Sequence, residues 1–151
     1  MPLSEAFGAQ QMLFPLCVID ITAKVAEDVH YAVRVEDIKA YEAEYGPILD
    51  GAFVALRTDW YKNWPDMDKL SGIADDGSEN FPGWSLPALQ YIYEERNAAA
   101  NGHETLDTDA SAEAAKAGDL ACECYVLGKG RPRIEGATGL PACVLAITPK
   151  K

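Results

Sequence analysis

Basic side chains and histidines are scarce in this 151-residue chain. Thirteen Lys and Arg stand against twenty-four Asp and Glu, for a net charge of −11, and there are two histidines. So acidic a surface repels a phosphate backbone, and no basic stripe offsets it, which argues against nucleic-acid binding. The same charge disfavours an anionic membrane surface. Long apolar runs are missing as well. The longest, Met12 to Ile19, contains Pro15 and ends at Asp20, well short of the ~20 residues a spanning helix needs. No Lys or Arg precedes Lys24, so the basic region that opens a signal peptide is lacking. A cytoplasmic chain with reduced thiols is the expectation. The four cysteines include Cys122 and Cys124 as C-x-C but no C-x-x-C, so no standard structural zinc or redox spacing is present. Cys17 and Cys143 read as buried, inert thiols.

What is present is ordinary globular material, 48% hydrophobic and 25% charged, in a length of about one domain. Strand-like and helix-like segments alternate, which implies an α/β fold with a mixed sheet and flanking helices over residues 1–151. Leu16 to Ile21 and Ala52 to Thr58 read as buried strands. Between them Val35, Ile38, Tyr41 and Tyr45 repeat at helical spacing, Glu36 and Asp37 favour the helix N-terminus, and Gly46-Pro47 stops it. Asp59 to Trp84 has no clear period and reads as a long aromatic and acidic loop. Ser85 then caps a helix with Pro87 in its first turn, running to about Arg96. A weak strand leads to a polar turn, Gly102 to Asp109. Ser111 caps an Ala-rich helix that closes at Gly118, Leu120 to Leu127 alternates like a strand, and Ala142 to Thr148 is the last strand.

The densest polar cluster is the turn. His103, Glu104, Asp107 and Asp109 place an imidazole and three carboxylates at the end of a strand, where α/β folds form ligand sites. Hard and borderline metals take such donors. The competing reading is a solvated turn in which Asp107 or Asp109 caps the next helix. Glu123, on a largely apolar strand face, needs a metal, an Arg or hydrogen-bond donors if buried, unless that strand is a wet edge. Trp60, Trp64, Phe81 and Trp84 either line a pocket for a planar aromatic ligand or cover the edge of the core. His30, beside Glu27 and Asp28, reads as exposed and idle.

Taken in order, several of these elements resemble the cyclase family of metal-dependent hydrolases, which includes kynurenine formamidase (arylformamidase) and isatin hydrolase. They are Asp37-Ile38 followed by Tyr45-Gly46, the run Gly51 to Trp60, Phe81-Pro82-Gly83-Trp84-Ser85, Gly102-His103-Glu104-Thr105 with Asp109, and Gly136 to Pro141. The resemblance implies a truncated version of that family's swivelling β/β/α fold. It also implies a Zn²⁺ or Mn²⁺ site for aryl-amide hydrolysis, and carries the metal-binding glutamate onto Glu123. The family motif H-x-G-T-H-x-D-x-P-x-H is absent, as is an internal segment after Leu127. No histidine lies between Asp109 and Glu123, so His103 is the nearest substitute, with Glu104 or Asp109 as a third ligand if the loops converge. The loop aromatics Trp60, Trp64, Phe81 and Trp84 would hold an aromatic formamide-like substrate. The reading is therefore a hydrolase-like protein, catalytically incomplete in this chain, with metal weak or absent. The alternative is a non-catalytic module for binding a small molecule or for oligomerisation. Elements lost from the family fold would leave strand edges and apolar faces uncovered, so a homo-oligomer is expected.

Overall fold

The computed structural model describes residues 13–129. Its centre is a parallel sheet of three strands, β1 (Leu16–Asp20), β3 (Phe53–Arg57) and β5 (Ala100–Gly102), in the order β1-β3-β5. β1 pairs with β3 from Leu16 opposite Phe53 to Asp20 opposite Arg57. Phe53, Val54 and Ala55 pair with Ala100, Asn101 and Gly102. Alternation fixes the two faces of the sheet. Cys17, Ile19, Val54 and Leu56 point into the core, while Leu16, Val18, Asp20, Phe53, Ala55 and Arg57 point the other way.

The inward face is covered by helices. α1 (Thr22–Glu27) and a short strand β2 (Ala32–Val33) lead to α2 (Val35–Tyr45). At the start of α2 the Asp37 carboxylate accepts from the Arg34 N–H at 2.8 Å, and Gly46 ends it at φ 91°, a conformation that glycine adopts without strain. The long loop is more structured than its sequence suggests. It holds a 3₁₀ turn (Trp60–Asn63), α3 (Met67–Ser71) and, at its end, β4 (Gly83–Trp84), which pairs in parallel with β2. A Cβ at Gly83 would lie 2.6 Å from the Ala110 nitrogen, so glycine is what lets β4 run against the 108–110 backbone. α4 (Leu86–Gln90) continues through a π turn (Tyr91–Glu95). Its first turn is held by Ser85, whose Oγ accepts from the Ala88 N–H and donates to the Val33 carbonyl at 2.6 Å. Ile38, Leu89, Ile92 and Trp84 pack with the inward sheet residues in one cluster.

α5 (Ser111–Ala117) closes at Gly118, as the sequence indicates, but its cap position is Ala110. The Ser111 hydroxyl instead donates to the Phe81 carbonyl at 3.0 Å. The segment read as a strand over Leu120 to Leu127 is a helix, α6 (Ala121–Gly128). A short, almost wholly apolar run carries little information about period. What decides its form is a carboxylate supplied from elsewhere, as described below. Glu123 is therefore on a helix and not on a strand face. The Ala142–Thr148 strand, Cys143 and the Gly136–Pro141 segment lie outside the described residues. Among the described residues no helix is long and apolar enough to cross a membrane.

Candidate functional site

The turn after β5 is built from hydrogen bonds that use its carboxylates. Glu104 reaches back to the C-terminal end of β3. Its Oε2 accepts from the Thr58 N–H at 3.0 Å, the Thr58 hydroxyl at 2.6 Å and the Trp60 N–H at 2.9 Å. These bonds hold the chain where Asp59 adopts a left-handed conformation, φ 63°, and so fix where the aromatic loop begins. The Trp60 indole N–H then donates to the Leu70 carbonyl at 2.9 Å.

Asp109 is 1% exposed. Its Oδ1 accepts from the Cys122 N–H at 2.8 Å and its Oδ2 from the Glu123 N–H at 3.1 Å. Both donors belong to the first turn of α6, whose N–H groups have no partner within the helix. A negative charge there is also favoured by the helix dipole. This is why residues 121–128 are helical. Cys122 turns its thiol to the Trp84 carbonyl at 3.5 Å, and burial pushes that thiol well above its ordinary pKa. It is thus neither a ready nucleophile nor a thiolate ligand at neutral pH.

His103 is half-buried at the edge of the open sheet face. Its Nδ1 lies 3.0 Å from the Thr105 carbonyl, which only accepts, so Nδ1 carries the proton. Nε2 is left to accept from the Thr108 hydroxyl at 3.3 Å. Burial pushes the imidazole pKa down, outweighing the bond to Thr105 and the nearby charges of Asp107 and Asp109. The ring is neutral at pH 7 and locked in one tautomer. Glu123 is buried at 8% exposure, so it does lie inside, though on a helical turn.

Three of the four residues named as metal ligands are thus held by their own hydrogen bonds. Asp109 receives two helix N–H groups, Glu104 staples two loops, and His103 is tied into its own turn. Among the described residues no group of three or more His, Cys, Asp or Glu side chains is gathered as an ion requires. A zinc or manganese centre needs at least three converging protein donors. The described residues do not by themselves assemble such a group.

The aromatic set also divides. Trp84 is fully buried in the core and Phe81 is also buried. Trp60 and Phe81 both close on Gly72, where an added Cβ would meet their rings at 3.2 and 3.0 Å. Trp64 is 67% exposed. Two cavities stand out and none of these four residues lines either. One, of about 310 Å³, lies on the open face of the sheet and is lined by Leu16, Val18, Phe53, Ala55, Gly102 and His103 among others. The other, of about 160 Å³, is bounded by His30, Tyr31, Arg34, Ser85, Glu113 and Lys116. His30 is not idle: its Nδ1 lies 2.9 Å from the Ser111 hydroxyl, joining the segment before β2 to the start of α5. Nothing in the sequence around His30 marks this, because its partner lies 81 residues away.

Comparison with known proteins accords with this architecture. A curated isatin hydrolase from Roseibium aggregatum is 27% identical over 97% of this chain and 64% of its own length. The structure of isatin hydrolase A from Ralstonia solanacearum matches 83% of this chain and 47% of that one, with a TM-score of 0.75 and 30% identity. Isatin hydrolase A from Labrenzia aggregata, solved with benzyl benzoate bound, matches 83% of this chain and 48% of that one, with a TM-score of 0.73 and 30% identity. The chain therefore spans about half the length of these solved relatives. The family model Cyclase, described as "Putative cyclase", matches residues 4–110, which cover every element from β1 to β5 and the turn that follows. This chain belongs to the Cyclase family, and its relatives make it hydrolase-like.

Proposed function

We propose that this chain is a hydrolase-like Cyclase-family protein that does not by itself assemble the metal-dependent amide-hydrolase site that its resemblance to arylformamidases implies. One observation carries the reading: Asp109 spends both carboxylate oxygens on the first turn of α6. Those two bonds orient the carboxylate toward the α6 backbone, and among the described residues no group of three or more His, Cys, Asp or Glu side chains gathers at its remaining lone pairs. The alternative of an oligomerisation module is favoured by a separate observation, the exposure of Leu16 and Val18 on the outward face of the sheet.

Two aromatic amides test the catalytic reading: isatin, named by the relatives, and a formylated aromatic amine. Each is offered to the purified chain with and without added Zn²⁺ or Mn²⁺, while elemental analysis reports metal retained before and after chelation. The expected result is turnover near background and no tightly held metal, with His103→Ala and Glu123→Ala changing neither. Robust metal-dependent turnover abolished by either substitution would overturn the proposal.

A further inference from the structure

The 160 Å³ cavity lies between the segment that leads from α1 into α2 and the first turns of α5, and no residue of the turn after β5 lines it. Its volume is close to the ~150 Å³ of a cavity that accepts benzene, so it suits a ligand of roughly six to ten non-hydrogen atoms. Acids outnumber bases by nearly two to one in the chain, yet here they balance, Arg34 and Lys116 standing against Asp28 and Glu113. Two of these four already pair, with Lys116 Nζ 3.3 Å from Glu113 Oε1. The other two are free of such a partner. Arg57 and Arg96 are each bound to carboxylates, whereas Arg34 has none within ion-pair distance among the described residues. Its guanidinium instead lies over the Tyr31 ring, 5.5 Å from the centroid. Asp28 likewise has no cation among the described residues, and its Oδ1 accepts from the His30 N–H at 3.0 Å.

One cavity thus holds an unpaired cation and an unpaired carboxylate that do not reach each other. Stacking on Tyr31 fixes the plane of the guanidinium and leaves its N–H edge for a carboxylate, which can take two parallel bonds there. An ammonium is the complement of Asp28. The Tyr31 hydroxyl is already donated to Asp37 at 2.9 Å and the Ser85 hydroxyl to the Val33 carbonyl, so these walls shape the cavity without competing for the ligand. A plain anion would meet Asp28 and a plain amine would meet Arg34, each a like-charge contact. A molecule carrying both charges satisfies both groups.

We propose that this cavity binds a small zwitterion of the α-amino-acid class, its carboxylate on Arg34 and its ammonium on Asp28. The site is separate from the turn after β5, so its test is independent of the hydrolase reading. Both anchoring side chains are exposed, so the affinity is modest, on the order of a millimolar dissociation constant.

NMR titration of the full chain with alanine tests this, with propionate and ethylamine as the singly charged counterparts. His30, whose ring is held by the Ser111 hydroxyl, reports from the cavity wall through its carbon-bound ring protons. The expected result is a saturable shift of those protons and of the Tyr31 and Ala112 amides with alanine. Propionate and ethylamine should bind about 3-fold more weakly or worse. Arg34→Gln should weaken alanine by about 10-fold and Asp28→Asn by about 3-fold, with the rest of the amide spectrum unchanged. Asp28→Asn keeps an acceptor for the His30 N–H, and so keeps the test decisive should Arg34→Gln fail to fold. No saturable shift at roughly 0.1 M alanine, far above millimolar constants, would overturn the proposal. Propionate binding as tightly as alanine, with Asp28→Asn indifferent, would overturn it by reducing the site to one for plain anions. Shifts indifferent to both substitutions would overturn it equally, by placing the ligand elsewhere.

Discussion

Asp109 and Glu42 are both carboxylates withdrawn from water, and they are stabilised in different ways. Asp109 has backbone donors, the Cys122 and Glu123 N–H groups. Glu42, on α2, has a cation: Arg96 donates from Nε at 2.5 Å and from Nη2 at 3.1 Å, with the Tyr91 hydroxyl at 2.8 Å and the Ile48 N–H at 3.1 Å. The first arrangement determines the form of a segment, because α6 owes its first turn to it. The second clamps two elements already formed, the C-terminal half of α2 and the end of the π turn. A carboxylate in this fold is therefore read by its donors. Backbone donors mark a group that dictates local structure, and a side-chain cation marks one that responds to charge.

The largest break in that comparison comes from removing the backbone-bound group. Asp109→Ala leaves two buried N–H groups at the start of α6 without an acceptor and should cost about 3 kcal/mol in urea unfolding. Asp109→Asn keeps one good acceptor oxygen and should cost roughly half as much. The loss should be accompanied by faster hydrogen exchange across residues 121–128, while Leu16 to Asp20 stays protected until global unfolding. An unchanged melting midpoint for Asp109→Ala would show that α6 is held by its packing alone.

Glu42 sharpens the contrast through pH. The Arg96 guanidinium beside it holds its pKa at about 2, against an ordinary 4.5. A depressed carboxylate pKa contributes stability that is complete above about 4.5 and is lost as pH falls toward about 2. Stability should decline through that window, by about 2 kcal/mol from this group given how little of it is exposed. Glu42→Gln should start lower at pH 7 and show a correspondingly flatter acid limb. Arg96→Met should flatten it in the same way. An acid limb equally steep in both variants would assign the decline to other carboxylates.

How much of this was legible beforehand follows from the same distinction. β1, α2, β3 and α4 announce themselves through local signals: apolar runs, the Val35–Ile38 spacing, Gly46-Pro47, Ser85 with Pro87. Their sequences and their tertiary environments agree. α6 reads as a strand because residues 120–127 alternate as well as they cycle, and the deciding group, Asp109, stands more than ten residues upstream. The 59–84 stretch reads as loop because its short elements are shaped by distant partners, Glu104 for Trp60 and β2 for β4. In the turn itself the residue types suggested ligands, but composition does not reveal whether a carboxylate meets a cation, a metal or a peptide N–H. Trp84 and Phe81 show the same ambiguity for aromatics, since both are buried in the interior.

The smallest expected effect belongs to His103, which stands between the two cases: a titratable side chain whose neighbours are a backbone carbonyl and a hydroxyl. Burial lowers its pKa below the ordinary 6.5. The folded protein therefore takes up the proton less readily than the unfolded chain, and protonation favours unfolding. The contribution is present in full above about 6.5 and is lost as pH falls from there through the depressed folded value. Titration followed by the imidazole carbon-bound protons in NMR should show His103 taking up its proton below the ordinary 6.5, with Nδ1 protonated throughout. His103→Gln keeps a donor toward the Thr105 carbonyl but cannot take up charge. It should leave stability at pH 7.5 nearly unchanged and make the protein relatively more stable than the parent at pH 5.5. A His103 that titrates at its ordinary value would mean that the turn opens to solvent. The tautomer argument for an occupied, non-ligating imidazole would then fail with it.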